Sequence, residues 1–100
     1  MKNYFWVDES VLCPGRYYIA LNHEKLRILS CRGSCNIICA RVIGLSYANY
    51  LRFCRDVYDG EIRGKNTGYP IVVFYDKKKA EELAEFLNKQ VKHIILELKA

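Results

Sequence analysis

A helical repeat of apolar residues in the middle of the chain constrains its fold more than any other feature. Tyr47, Tyr50, Leu51, Cys54 and Tyr58 fall at i, i+3, i+4, i+7 and i+11, while Asn49, Arg52 and Asp56 fall on the opposite side. Ser46 supplies an N-cap and Gly60 a stop, so a helix is predicted between them, with Phe53 and Val57 widening its apolar arc. Asp76 caps a second helix, from Lys77 to about Lys89, that buries Ala80, Leu83, Ala84 and Leu87.

The segments around these helices are rich in β-formers. Tyr4 to Val7 reads as a short strand or an aromatic plug, and Cys13-Pro14-Gly15 as a turn. Arg16 to Leu21 and Leu26 to Cys31 read as a hairpin with a four-residue loop, and Cys35 to Ile43 as a third strand. Pro70 opens Ile71 to Tyr75, a continuous apolar run of the kind covered on both faces. Val91 to Leu98 reads as a last strand, and Glu61 to Gly68 as a mobile polar loop. The expected order is β-β-β-α-β-α-β. This makes one α+β domain over residues 1–100, a mostly antiparallel sheet of four to five strands with two helices on one face.

One hundred residues, 51% of them apolar, suffice for one modest core without staples. No stretch approaches the roughly 18–20 apolar residues that span a bilayer. Asp8 and Glu9 interrupt the start before any long apolar run, unlike a secretory leader. A cytoplasmic location, with reduced thiols and no membrane partner, is expected.

Five cysteines include Cys31, Cys35 and Cys39 at a strict four-residue spacing. A structural zinc site needs four thiolate or imidazole ligands on tight turns. Cys31 and Cys35 straddle Gly33, and Cys13 with His23 would complete such a set. On a strand, however, Cys35 and Cys39 would stand about 13 Å apart, too far for one metal. Burial of Cys35, Cys39 and Cys54 as small core residues is the simpler expectation, with no metal and no cofactor. The odd count also argues against a disulfide framework.

No catalytic constellation emerges. Only His23 and His93 could activate a thiol, and neither is placed beside Cys13, the most exposed candidate. Gly60, Gly64 and Lys65 hint at a phosphate loop, but the spacing fails and a strand follows where a helix should. Asp56, Asp59 and Glu61 alternate with Arg55 and Arg63, as a solvated ion-pair rim does. An enzyme is not expected.

Net charge of +5 and eight tyrosines suit a binding role. The expected function is a non-enzymatic interaction module that binds and modulates a larger host protein or nucleoprotein machine, with inhibition as one mode. Residue usage typical of low-GC genomes suits an accessory protein of a phage or mobile element. Tyrosine and arginine are the residue types enriched at binding hot spots, which selects Arg52, Arg55, Tyr58, Arg63, Lys65 and Tyr69 as the partner surface. The first alternative is a nucleic-acid-binding protein using Arg63, Lys65, Lys77, Lys78 and Lys79, with Tyr17, Tyr18, Tyr69 and Tyr75 as stacking faces. Glu81, Glu82 and Glu85 would interrupt that basic track. The second alternative is the zinc-stabilised domain. A dimer through the edge of the last strand is a further option, blunted by Lys92 and Lys99.

Overall fold

The computed structural model describes residues 4–26, 35–68 and 70–99, the last five of these for their backbone alone. Alternating apolar residues at the start build a hairpin. Strand β1 (Phe5–Glu9) pairs antiparallel with β2 (Tyr17–Leu21), setting Phe5 opposite Leu21 and Val7 opposite Ile19. Their inward side chains Phe5, Ile19 and Leu21 are buried, while Trp6 and Tyr18 lie on the outer face. The turn at Cys13-Pro14-Gly15 joins these strands, with Gly15 at φ +88° as its position requires.

The partner of β2 is therefore β1, not a strand starting at Leu26. Asn22 ends β2 and starts α1 (His23–Leu26), its side-chain oxygen accepting from Lys25 N–H at 3.0 Å. That local cap turns the expected hairpin loop into one helical turn and makes Leu26 a buried helical residue. The remainder of the expected strand, through Cys31, lies outside the described residues.

The expected third strand is a helix, α2 (Cys35–Val42). Ile38, Cys39 and Val42 are buried and Cys35 half-buried, a helical i, i+3, i+4, i+7 set. The β-branched residues that suggested a strand carry a weak preference, overridden by packing of this face against α3 and α4.

Helix α3 (Tyr47–Tyr58) begins where expected, the Ser46 hydroxyl accepting from Asn49 N–H. Its buried residues are Tyr50, Leu51 and Cys54, whereas Val57 is exposed. The stop differs in kind. Asp59, not glycine, takes the left-handed conformation, at φ 56°. Gly60 is needed for proximity: a Cβ there would stand 2.6 Å from Val72 Cγ2 and 3.0 Å from Phe74 Cε1.

The expected polar loop contains a strand, β3 (Glu61–Arg63), and a 3-10 turn (Lys65–Thr67) flanked by left-handed Gly64 and Gly68. Strand β3 pairs antiparallel with β4 (Ile71–Val73). Three residues, Glu-Ile-Arg, were too short a stretch to show alternation, and only the offered edge of β4 makes them a strand. Nor is the run from Ile71 to Tyr75 covered on both faces, since Ile71 and Tyr75 are exposed. The Tyr47 hydroxyl donates to Pro70 O, tying this second hairpin to α3.

Helix α4 (Lys77–Lys99) absorbs the expected last strand. Ala80, Leu83, Ala84, Leu87 and Val91 form one buried stripe, and no Gly or Pro interrupts residues 77–99. The edge on which a dimer was expected is thus helical. Helix α4 packs along β1 and β2, and its Asn88 completes the free edge of β1. The Asn88 oxygen accepts from Tyr4 N–H (3.0 Å) and Phe5 N–H (2.8 Å), and its amide donates to Phe5 O (2.9 Å). One side chain thereby substitutes for an adjacent strand.

Among the described residues, the result is a small α+β fold of four helices and two two-stranded antiparallel sheets, in place of one sheet of four to five strands with two helices. There the two sheets meet at one bridge, between Tyr17 and Phe74.

Candidate functional site

The junction of the two sheets positions the site. Beyond the Tyr17–Phe74 bridge lies a cleft of about 410 Å³, whose walls include Tyr18 and Ile19 from β2, Ile71 and Val72 from β4, and Cys35 from α2. Among the described residues, Arg16 is the one charged residue that lines it. The loop from β1 to β2 forms its rim through Ser10 and Cys13.

That loop is held by its own bonds. Ser10 N–H donates to Arg16 O, Cys13 N–H to the Ser10 hydroxyl, and Gly15 N–H to the Glu9 carboxylate. It nevertheless presents Val11 and Leu12 to solvent, 93% and 91% exposed. Side by side, they begin an exposed apolar patch, the kind of surface that marks an interaction site where it grows large.

Arginine and tyrosine are organised on the same side. The Arg16 guanidinium lies 5.9 Å from the Tyr75 ring centre and 3.5 Å from Cys13 Sγ. Arg63 donates to the Tyr75 hydroxyl at 3.2 Å and faces Glu61 at 3.4 Å. Tyr75 is thus held between two guanidinium groups while half its surface remains open.

The expected partner residues divide into separate groups. Arg52 bonds Asn49 and Arg55 bonds Asp56 on the exposed face of α3. The Arg55 guanidinium beside Asp56 holds that carboxyl below the usual range. Tyr58 is half-buried, edge-on to Phe53 at 5.5 Å, and burial together with Glu82 of α4 raises its hydroxyl pKa. Arg63 joins the cleft side through Tyr75, Lys65 is exposed in the 3-10 turn, and Tyr69 lies outside the described residues. Among the described residues, no hydrogen bond, ion pair or ring contact links Arg63 or Lys65 to the α3 set.

Lys77 and Lys78 are exposed and Lys79 half-buried in the first turn of α4, where the Asp76 carboxylate accepts from the backbone N–H of Lys78 and Lys79. The phosphate-loop hint dissolves in the geometry. Thr67 uses its hydroxyl on Gly64 O, and the turn leads into β4.

The cysteines do not share a strand. Cys35 and Cys39 lie one turn apart on α2, correcting the period-two spacing expected for them. Cys39 and Cys54 are fully buried, and burial pushes both thiols up to about 12. Cys35 is also raised by burial, opposed by backbone amides including that of Leu21. Of the expected zinc set, Cys13 and Cys35 line the cleft, His23 is exposed on α1, and Cys31 lies outside the described residues. Among the described residues, no three His, Cys, Asp or Glu side chains gather as a metal site. No helix there is long and apolar enough to cross a membrane.

Val11, Leu12, Arg16 and Ile71 were not singled out by sequence reasoning. Two adjacent aliphatic residues between Ser10 and the Cys13-Pro14-Gly15 turn are the signal that could have marked the rim. Comparison with protein-family models, with curated proteins and with solved structures gave no match.

Proposed function

We propose that this chain is a small, non-enzymatic interaction module of the cytoplasm that docks on a macromolecular partner through the face carrying the cleft. One observation carries the reading. Among the described residues, eight large apolar side chains are exposed; Tyr18 and Ile71 line this cleft, Val11 and Leu12 stand in the chain between its rim residues Ser10 and Cys13, and Tyr75 lies against the Arg16 guanidinium. Arg16 and Arg63 are interleaved with them, the combination that binding hot spots favour. The reading moves the docking surface from the end of α3 to the β2–β4 junction and keeps Arg63 from the expected set. Low-GC residue usage fits an accessory protein of a phage or mobile element that modulates a larger host machine.

Affinity capture from an extract of the source cells tests this, using the intact chain and paired variants. Ile71→Asp with Tyr75→Ala is expected to lose the captured partner, while Arg52→Ala with Arg55→Ala keeps it. Retention by the first pair would contradict the reading. Capture that vanishes on nuclease treatment would transfer the role to nucleic acid and to Arg63, Lys65 and Lys77 to Lys79.

A further inference from the structure

The Tyr17–Phe74 bridge is a rung of an antiparallel ladder that does not continue. Tyr17 N–H donates to Phe74 O at 2.7 Å, and Phe74 N–H donates to Tyr17 O at 2.9 Å. Such rungs recur at every second residue, so the next would join Ile19 to Val72. Among the described residues that rung is not formed, and both residues line the cleft instead.

The lining shows that the cleft opens between strand edges. Residues 17–19 of β2 and 71–73 of β4 contribute consecutively, whereas a hollow on a sheet face would be lined by alternate residues. The even-numbered residues of β2 face β1, as the bonds between Asn22 and Tyr4 and between Ser10 and Arg16 require. The backbone amide and carbonyl of Ile19 therefore point to the open side, and by the same alternation so do those of Val72. Unpaired strand groups in a sheltered, mostly apolar cleft form a template for another strand.

Charge selects the occupant. Among the described residues, Arg16 is the one charged residue lining the cleft, and its side chain meets a sulfur and an aromatic ring, not a carboxylate. Carboxylate is the group that a guanidinium fork matches.

We infer that the cleft binds an extended peptide segment of the partner protein. Its main chain bonds to Ile19 and Val72, and an Asp or Glu side chain meets Arg16. This deepens the docking reading and rests on it.

The test is panning of a library of short displayed peptides on the full chain. Enriched peptides are expected to alternate apolar residues, to contain an acidic residue and to lack proline centrally. N-methylation of alternate backbone amides in one such peptide is expected to abolish binding with a period of two. Changing its acid to the amide is expected to weaken binding about tenfold, and to have no further effect on the Arg16→Ala variant. Failure to enrich any peptide, insensitivity to N-methylation, or equal losses with and without Arg16 would overturn the inference. Arg16-dependent binding of short single-stranded DNA without peptide binding would also overturn it. If panning fails but partner capture still depends on Ile71 and Tyr75, the inference falls and the docking reading stands. If both fail, both fall.

Discussion

Two buried side chains show how single residues set the stability of this fold. Asn88 holds β1 to α4 with three hydrogen bonds, two of them fully buried. Asn88→Leu keeps the branched shape, at a larger volume, but strands the amide and carbonyl of Phe5 away from water. Urea unfolding is expected to show a loss of about 2–4 kcal/mol; a loss below 1 would mean that water replaces the carboxamide. Tyr50 presents the opposite case. Its hydroxyl lies beside the sulfurs of Cys39 and Cys54 but has no aligned hydrogen bond. Tyr50→Phe removes the orphaned group and is expected to leave the protein unchanged or about 1 kcal/mol more stable. A loss of more than about 1 kcal/mol would show that the oxygen is bonded to a thiol after all.

At the scale of elements, the junction of α3 with β4 depends on Gly60. A methyl group there meets Val72 and Phe74, both buried, so Gly60→Ala is expected to cost about 2–3 kcal/mol in the same assay. Helix α4 offers a second check. Gln90→Pro should cost at least about 3 kcal/mol in a continuous helix, but little if Val91 began a separate strand. These cases also mark what was legible in the sequence. The Ser46 cap, the buried stripe of α3 and the Asp76 cap could be read because each is a local signal at short range. Helix α2 and the second half of α4 could not, because Ile and Val runs satisfy both periods and tertiary packing decides between them. The pairing of β1 with β2 and the strand β3 were hidden because each depends on what a distant or short neighbour offers. The cleft was least legible of all. It comes from a rung that two sheets do not share, which no pattern along the chain encodes.

At the scale of the whole molecule, the core carries a pH dependence. Cys39 and Cys54 ionise near the ordinary value of 9.0 when unfolded but are held near 12 in the fold. Between those limits the folded state retains protons that the unfolded state has lost. Stability is therefore full below pH 9 and falls as pH rises toward 12. Each thiol adds a slope of up to about 1.4 kcal/mol per pH unit. Denaturation midpoints followed above pH 9 are expected to fall, and Cys54→Ala to fall less steeply. A flat profile would mean that both thiols ionise freely in the fold.

The proposed docking surface is the outer face of the sheet junction, away from these buried cysteines. Photo-crosslinking is the most direct test that this face docks on a partner. A benzoylphenylalanine replaces Tyr18, Tyr75 or Arg52 in turn, and the chain is irradiated in extract of the source cells. The expected result is one common crosslinked protein from Tyr18 and Tyr75 and none from Arg52. Crosslinks from Arg52 alone would contradict the account and return the docking surface to α3.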